Sequence, residues 1–167
     1  IDVAKKVLFV GHSLVGTTMP QMLNILLADR ATGIRADAQV INGAPLLHQW
    51  QNGATAQGVN ARAVLPCGNY NTLILTEAIP LATHLRWSDT AGMARNYYRL
   101  AVAADPATRV MIYETWHEMQ TEASWRAALT TNLTLWQGIA NSLNATKAAT
   151  QPAVTLLPAG QAMARLY

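Results

Sequence analysis

The sequence predicts an α/β fold in which helices cover both faces of a parallel sheet. Five short apolar segments are typical of buried strands, and amphipathic segments with helical spacing separate them along the 167 residues. No repeat or low-complexity linker interrupts this alternation, so residues 1–167 are expected to form one domain. In open sheets of this kind, ligands bind beyond the carboxyl ends of the strands.

Each predicted strand is an apolar run that stops at glycine, proline or a polar residue. The five strands are expected at residues 7–10, 37–41, 72–76, 109–113 and 154–158. Apolar residues at helical spacing predict helices around Pro20, from Ser88 or Asp89 to just before Pro106, from Glu122 to Ala145, and from Gly160 to Tyr167. The remaining segments are expected to be connections, including residues 60–71 and the stretch with His84 and Trp87.

Composition narrows the possible functions. The formal charge is only +3 and the basic residues are scattered, which argues against nucleic acid as a partner. No apolar run approaches the roughly 18 residues of a membrane span. The single cysteine excludes an internal disulfide, and no cluster of His, Cys, Asp and Glu has metal-ligand spacing, so no metal is expected. If Ile1 is a processed start, a secreted or periplasmic location is favoured.

Ser13 follows the first predicted strand, in the segment Gly11-His12-Ser13-Leu14. Gly11 and Gly16 relieve the steric limits of a tight strand-to-helix turn, so the Ser13 hydroxyl is expected to face solvent. A serine in this position can be a nucleophile, although most serines before helices only cap them. Residues after other strand ends are expected at the same edge of the sheet: Gly43, Glu77, Glu114 and His117. This convergence predicts a functional site.

Two short motifs resemble those of the SGNH (GDSL-like) hydrolases. The block Phe9-Val10-Gly11-His12-Ser13-Leu14 is similar to the family's first motif, with His12 where aspartate is usual. Gly43, in Asn42-Gly43-Ala44-Pro45, lies where the family keeps its second-motif glycine. The resemblance implies a three-layer flavodoxin-like fold and a serine ester hydrolase without a cofactor. It assigns Ser13 as nucleophile, the N–H groups of Ser13 and Gly43 as oxyanion donors, and His12 as a pocket contact.

The sequence departs from the family at the third motif, which is Gly-x-Asn-Asp. Here the third strand ends in Leu75-Thr76-Glu77-Ala78, and an ionised carboxylate accepts hydrogen bonds instead of donating them. Glu77 is therefore expected to contact substrate, and not to replace the asparagine as an oxyanion donor.

A serine nucleophile needs a general base, and none stands at the family's usual place. The family carries Asp-x-x-His after the last strand, whereas no His or Asp follows Val154 here. We expect first that the domain lacks its Asp-x-x-His segment, which is removed or supplied by a second peptide. Alternatively, Glu114-x-x-His117 provides the base and its orienting group. As a third alternative, the protein is a binding module without catalysis.

Further alternatives concern the type of hydrolase and its substrate. The segment around Ser13 is also similar to the Gly-x-Ser-x-Gly elbow of α/β-hydrolases, but Val15 replaces the second glycine and the serine follows the first strand. Trp50, Trp87 and Trp116 are expected in loops beyond strand ends, where indoles could stack on sugars. The expected substrate is an acyl or acetyl ester of a small molecule, and a carbohydrate is one candidate for its alcohol part. The non-enzymatic alternative is a carbohydrate-binding module on the same scaffold.

Overall fold

The computed structural model describes residues 6–28, 35–117 and 121–166, which form a mostly parallel six-stranded sheet flanked by helices. The strands are β1 (Lys6–Gly11), β2 (Arg35–Val40), β3 (Gln57–Gly58), β4 (Thr72–Leu75), β5 (Arg109–Tyr113) and β6 (Thr155–Leu157). The helices are α1 (Thr18–Ala28), α2 (Leu46–Asn52), α3 (Ala61–Val64), α4 (Leu81–Trp87), α5 (Thr90–Ala104), α6 (Glu122–Asn144) and α7 (Ala159–Ala164). Short 3-10 turns follow α2 and α3, at Gly53–Thr55 and Leu65–Cys67.

The strand order is β3-β2-β1-β4-β5-β6, and every pair is parallel except the short β2–β3 pair. Without β3, this is the 2-1-3-4-5 order of flavodoxin-like sheets. The chain reverses its direction of winding between β1 and β4, so the loops after these two strands diverge and leave a crevice. The predicted fold class is confirmed.

Alternation along the strands divides the apolar residues between the two faces of the sheet. Leu8, Leu73 and Ile112 point into the larger core, which is completed by side chains of α2, α5 and α6. Phe9 and Ile74 point to the opposite face, where Met19 and Leu23 of α1 pack on them. Helices therefore cover both faces, as the sequence predicts.

Most of the predicted helices and strands are found close to their expected bounds. The long helix predicted from Glu122 to Ala145 is α6, and Asp89 caps α5 by accepting a hydrogen bond from the N–H of Gly92 at 3.3 Å. The last predicted helix is the shorter α7, which ends at Ala164, and Tyr167 lies outside the described residues.

Three connecting segments differ from the prediction. The stretch with His84 and Trp87 was expected to be a loop but forms helix α4, and residues 60–71 contain α3 and a 3-10 turn. Both helices are short, and each has a single buried residue, Leu81 or Ala61, so no apolar repeat marks them. Strand β3 was also missed, since two exposed residues carry no alternation.

Within the described residues, no helix is long and apolar enough to cross a membrane.

Candidate active site

The turn after β1 presents Ser13 at the crevice. Val15 and Gly16 donate backbone hydrogen bonds to the carbonyl of His12 at 2.9 and 3.0 Å, and these close the turn. A Cβ on Gly11 would lie 2.6 Å from a methyl group of Thr76, so only glycine fits there. Ser13 is exposed, and α1 begins only at Thr18. Within the described part of the chain, no group forms a hydrogen bond with the Ser13 hydroxyl.

A second turn places Gly43 next to this serine turn. Ala44 donates to the carbonyl of Ile41 at 3.2 Å, and Gly43 has φ 68°, which is the conformation that the third position of a type II turn requires. Gly43 is exposed, and no described residue accepts a hydrogen bond from its N–H. Among the described residues, the turn therefore leaves the N–H of Gly43 without an acceptor at the mouth of the crevice.

Two buried glutamines hold the ends of β1 and β2 together beneath these turns. The side-chain amide of Gln49 donates to the carbonyls of Gly11 at 2.5 Å and Ile41 at 3.1 Å. The amide of Gln39 donates in turn to the carbonyl and side-chain oxygens of Gln49, at 2.9 and 3.1 Å. Both glutamines are 0% exposed. They were missed by sequence reasoning, and the only signal was a glutamine inside the otherwise apolar end of β2.

Ser13 and Gly43 line the same pocket, which has a volume of about 360 Å³. We call it the Ser13 pocket. It lies beyond the carboxyl ends of β1 and β4, and its walls consist of His12, Ser13, Leu14, Gly43, Ala78, Ile79, Trp116, His117, Trp125 and Met163. The predicted site residues Ser13, Gly43, His12, His117 and Trp116 thus meet at one place. Trp125 and Met163 were not predicted, because they come from helices distant in sequence.

His12 lies at the pocket wall, but hydrogen bonds occupy both of its ring nitrogens. Nε2 lies 3.1 Å from the carbonyl oxygen of Glu77 and donates to it, and Nδ1 accepts from the N–H of Leu14 at 3.4 Å. Burial lowers the pKa of His12, the hydrogen bond to Glu77 raises it, and nearby His84 lowers it further. A neutral imidazole bonded in this way fixes the serine turn to the end of β4 and has no free nitrogen for the Ser13 proton.

Glu77 turns away from the pocket. Its Oε1 accepts hydrogen bonds from the N–H groups of Leu46 at 2.9 Å and Ala78 at 2.7 Å, and its Oε2 accepts from the Thr90 hydroxyl at 2.7 Å. The residue is 1% exposed. The expected substrate contact is therefore not formed by this side chain, because the first turns of α2 and α5 supply the donors that satisfy the carboxylate.

Glu114 and His117 do not form a pair. The carboxylate of Glu114 is buried and accepts from the backbone N–H of Gln161 at 3.2 Å and from its side-chain amide at 2.9 Å. His117 lies at the pocket wall, where Nε2 contacts the side-chain amide of Asn132 at 2.9 Å. In the alternative in which Glu114 orients His117 as the base, the Glu114 carboxylate would have to accept a hydrogen bond from the His117 ring. It accepts from Gln161 instead.

The tryptophans expected near the site are divided between several places. Trp116 is half-buried and lines the Ser13 pocket. Trp50 lies in α2, is partly buried and packs edge to face on Tyr97 with ring centroids 4.9 Å apart, and the guanidinium of Arg62 lies 4.8 Å from its ring. Trp87 lies at the end of α4 and is 71% exposed. Of the three tryptophans expected in loops beside the site, Trp50, Trp87 and Trp116, only Trp116 lines the Ser13 pocket.

The fold is similar to three solved structures. A GDSL-like lipase of Parabacteroides merdae has a TM-score of 0.57 at 13% identity, with 98% of this chain and 93% of that chain covered. A DUF4886 family protein of Bacteroides uniformis has a TM-score of 0.59 at 19% identity, with 83% of this chain and 64% of that chain covered. An acetyl esterase mutant with bound acetate has a TM-score of 0.48 at 14% identity, with 91% and 78% covered. The chain has the fold of SGNH hydrolases.

No family model matches the sequence, and no curated protein does. The assignment to the SGNH fold therefore comes from the arrangement of the strands and helices. Val15, at the position of the second glycine of an α/β-hydrolase elbow, is 3% exposed and packs in the core. Within residues 6–28, 35–117 and 121–166, no group of three His, Cys, Asp or Glu side chains could hold a metal ion.

The Glu77 contacts predict a loss of stability when its acceptor oxygens change. In Glu77→Gln, an NH₂ group replaces one carboxylate oxygen. This NH₂ donor then faces the donors of Leu46, Ala78 or Thr90 and cannot bond to them. We expect the free energy of unfolding to fall by about 1–3 kcal/mol, measured by urea denaturation. Glu122→Gln, at an exposed position of α6, is the control and should change it by less than about 1 kcal/mol. Equal effects of the two variants would contradict the structural role of Glu77.

Burial of His12 and His117 predicts that stability decreases in acid. Burial lowers the pKa of both residues below the ordinary 6.5, so the unfolded chain binds more protons than the folded chain in that range. Stability should be fully present above about pH 7 and should fall as the pH drops below 6.5, as followed by urea denaturation. His12→Gln should reduce this loss, whereas His48→Gln, at an exposed residue, should leave it unchanged. A pH-independent free energy of unfolding would contradict the prediction.

Proposed function

We propose that this protein is a serine ester hydrolase of the SGNH type that acts on a small ester, with Ser13 as its nucleophile. The observation that carries the proposal is that the exposed Ser13 hydroxyl and the free N–H of Gly43 line one pocket at the switch point of the sheet. The similarity to a GDSL-like lipase supports the same reaction class through the fold.

In the proposed reaction, Oγ of Ser13 attacks the carbonyl carbon of the ester. The developing oxyanion accepts hydrogen bonds from the N–H groups of Gly43 and Ser13, which are donors that need no rearrangement during the reaction. The carboxylate of Glu77 cannot take the place of a donating asparagine, because it accepts and is already satisfied by backbone and hydroxyl groups. The oxyanion site of this protein is therefore made of backbone donors.

The general base is proposed to come from an Asp-x-x-His segment outside these 167 residues, in the same polypeptide or in a second peptide. Support comes from the histidines that line the pocket. Both ring nitrogens of His12 have partners, and Nε2 of His117 contacts the Asn132 amide. Glu114, which could have oriented His117, bonds Gln161 instead. These contacts of the two pocket histidines support a base from outside them.

A carbohydrate-binding role is the second candidate. Trp116 at the pocket wall favours it, since an indole offers an apolar face beside a polar edge. Trp50, packed against Tyr97, does not add to such a surface. A carbohydrate ester as substrate of the hydrolase depends on the same indole, because Trp125, which also lines the pocket, is 3% exposed.

The proposed nucleophile is tested by covalent labelling. A fluorophosphonate, supplied with imidazole as an external base, should add to Ser13 and be found on its peptide by mass spectrometry. Gly43→Val should slow labelling by roughly 100- to 1,000-fold, because a β-branched residue cannot hold φ 68° and the donor moves. Gly43→Asn is the matched control, and it should label within about tenfold of the wild type because asparagine tolerates this conformation. Unchanged labelling of Ser13→Ala, or none of the wild type, would contradict the proposal.

The proposed origin of the base is tested by chemical rescue. For residues 1–167 alone, the rate of Ser13 labelling should rise in proportion to added imidazole, and His117→Gln should label at the wild-type rate within about twofold. A longer form of the protein that carries an Asp-x-x-His segment should label rapidly without imidazole. If residues 1–167 turn over ester without imidazole and His117→Gln abolishes turnover, His117 is the base and the proposal is wrong.

A further inference from the structure

Helix α6 holds His117 at the wall of the Ser13 pocket through two contacts. Nε1 of Trp125 donates to the backbone carbonyl of His117 at 3.0 Å, and the side-chain nitrogen of Asn132 lies 2.9 Å from Nε2 of its ring. Trp125 and Asn132 are about two turns apart on α6, so they lie on the same side of the helix. The position of the His117 backbone and the orientation of its ring therefore both depend on α6.

The contact with Asn132 determines which nitrogen of the His117 ring carries the proton. An amide nitrogen only donates, so Nε2 accepts the hydrogen bond from Asn132. Burial lowers the pKa of His117 below the ordinary 6.5, so the ring is neutral at about pH 7 and above. A neutral imidazole carries one ring proton, and with Nε2 as the acceptor this proton is on Nδ1.

The N–H at Nδ1 of His117 is available to a ligand. His117 lines the Ser13 pocket and Asn132 does not, so Nε2 faces α6 and the rest of the ring, with Nδ1, is left for the pocket. Among the described residues, no group bonds to Nδ1. His12 differs, because its Nε2 donates to the carbonyl of Glu77 and its Nδ1 accepts from Leu14.

The order of the strands places His117 away from the oxyanion donors. Gly43 follows β2 and Ser13 follows β1, whereas His117 follows β5, which lies two strands from β1 on the other side. Neighbouring strands are about 4.8 Å apart, so the ends of β1 and β5 are separated by roughly 10 Å. The oxyanion therefore faces Gly43, and Nδ1 of His117 meets a part of the substrate several bonds from the reacting carbon. A fluorophosphonate without such a part reports only on Ser13 and the backbone donors.

We propose that the N–H at Nδ1 of His117, oriented by Asn132, recognises a second acceptor oxygen of the ester, several bonds from its carbonyl group. This inference rests on the proposed function. His117 contacts the substrate, and Asn132 is a positioning residue that acts through it. An N–H that faces a methylene group loses its water and gains no partner. The preferred substrate class is therefore an ester with an ether, carbonyl or hydroxyl oxygen in its alcohol or acyl part, and not a purely hydrocarbon ester.

Nitrogen NMR of the histidine rings tests the position of the proton, since protonated and unprotonated ring nitrogens resonate far apart. At about pH 8.5, where histidine is neutral, the wild type should show a protonated Nδ1 for His117 and a protonated Nε2 for His12. The signals of His117 are assigned by their loss in His117→Phe. In Asn132→Asp, the new carboxylate accepts from the ring, so the proton of His117 should move to Nε2.

Asn141→Asp is the matched control for this experiment, because it makes the same change at an exposed position of α6. It should leave the proton of His117 on Nδ1. A proton on Nε2 of His117 in the wild type, or on Nδ1 in Asn132→Asp, would overturn the inference. A merely structural role of Asn132 would not move the proton between the two nitrogens.

Two pairs of esters of equal length test recognition, with imidazole present as the base. Methoxyethyl acetate and butyl acetate differ by an ether oxygen in the alcohol part, and p-nitrophenyl methoxypropanoate and p-nitrophenyl pentanoate differ by one in the acyl part. In one pair, the kcat/KM ratio of methoxy to hydrocarbon ester should be about three- to tenfold higher for the wild type than for His117→Phe, which is the value of one neutral hydrogen bond. Asn132→Asp should lower this ratio as well, because its Nδ1 cannot donate, and Asn141→Asp should keep it. The pair that responds identifies the part of the ester that His117 contacts.

The outcomes separate this inference from the proposed function. If the esters are hydrolysed through Ser13 and neither ratio differs between wild type and His117→Phe, the inference is overturned and the hydrolase proposal stands. If no ester is hydrolysed, the hydrolase proposal fails, and binding decides the inference. Each ester is then titrated into the wild type while the Nδ1 signal of His117 is followed. A larger shift with one methoxy ester than with its hydrocarbon counterpart supports the inference, and equal shifts in both pairs overturn it.

Discussion

The geometry of the site depends on the buried carboxylate of Glu77. Its two oxygens accept from the first residue of α2, from the backbone beside it and from the first residue of α5, while its own carbonyl accepts from His12. One residue at the end of β4 therefore holds two helices and the serine turn. Since α2 starts directly after the Gly43 turn, the contacts of Glu77 also act on the distance between the two turns at the pocket mouth.

Gln39 and Gln49 act on the same geometry from inside the sheet. A buried amide pair would cost stability if any donor or acceptor were unsatisfied, but the described contacts reach the carbonyls of Gly11 and Ile41 and the N–H of Ala61. These carbonyls lie at the ends of β1 and β2, where the parallel ladder stops. The two buried glutamines beneath the pocket therefore hold the backbone in place, and neither of them lines the pocket.

Much of the fold could be predicted because apolar runs and caps are local signals. Residues 72–76 and 109–113 become β4 and β5, and Asp89 caps α5 as expected. The meeting of Ser13 with Gly43 followed from the rule for parallel strand ends. The directions of Glu77 and Glu114 did not follow from that rule, because each carboxylate turns toward donors on helices whose positions only the tertiary fold determines. The sequence can predict that a residue lies at the carboxyl edge of the sheet. It cannot predict which groups that residue bonds.

Two of the departures from the SGNH motifs, at positions 12 and 77, are in contact with each other. Position 12 carries histidine where the family has aspartate, and position 77 carries glutamate where the family has asparagine. His12 donates to the carbonyl of Glu77, and an ionised aspartate at position 12 could not, since it has only acceptors. A glutamate at position 77 in turn needs the donors of α2 and α5, and these position the backbone whose carbonyl His12 bonds. Aspartate at position 12 would place a buried acceptor against the carbonyl of Glu77, and an amide at position 77 would place a donor against the donors of Leu46, Ala78 or Thr90, so each change removes hydrogen bonds around the serine turn.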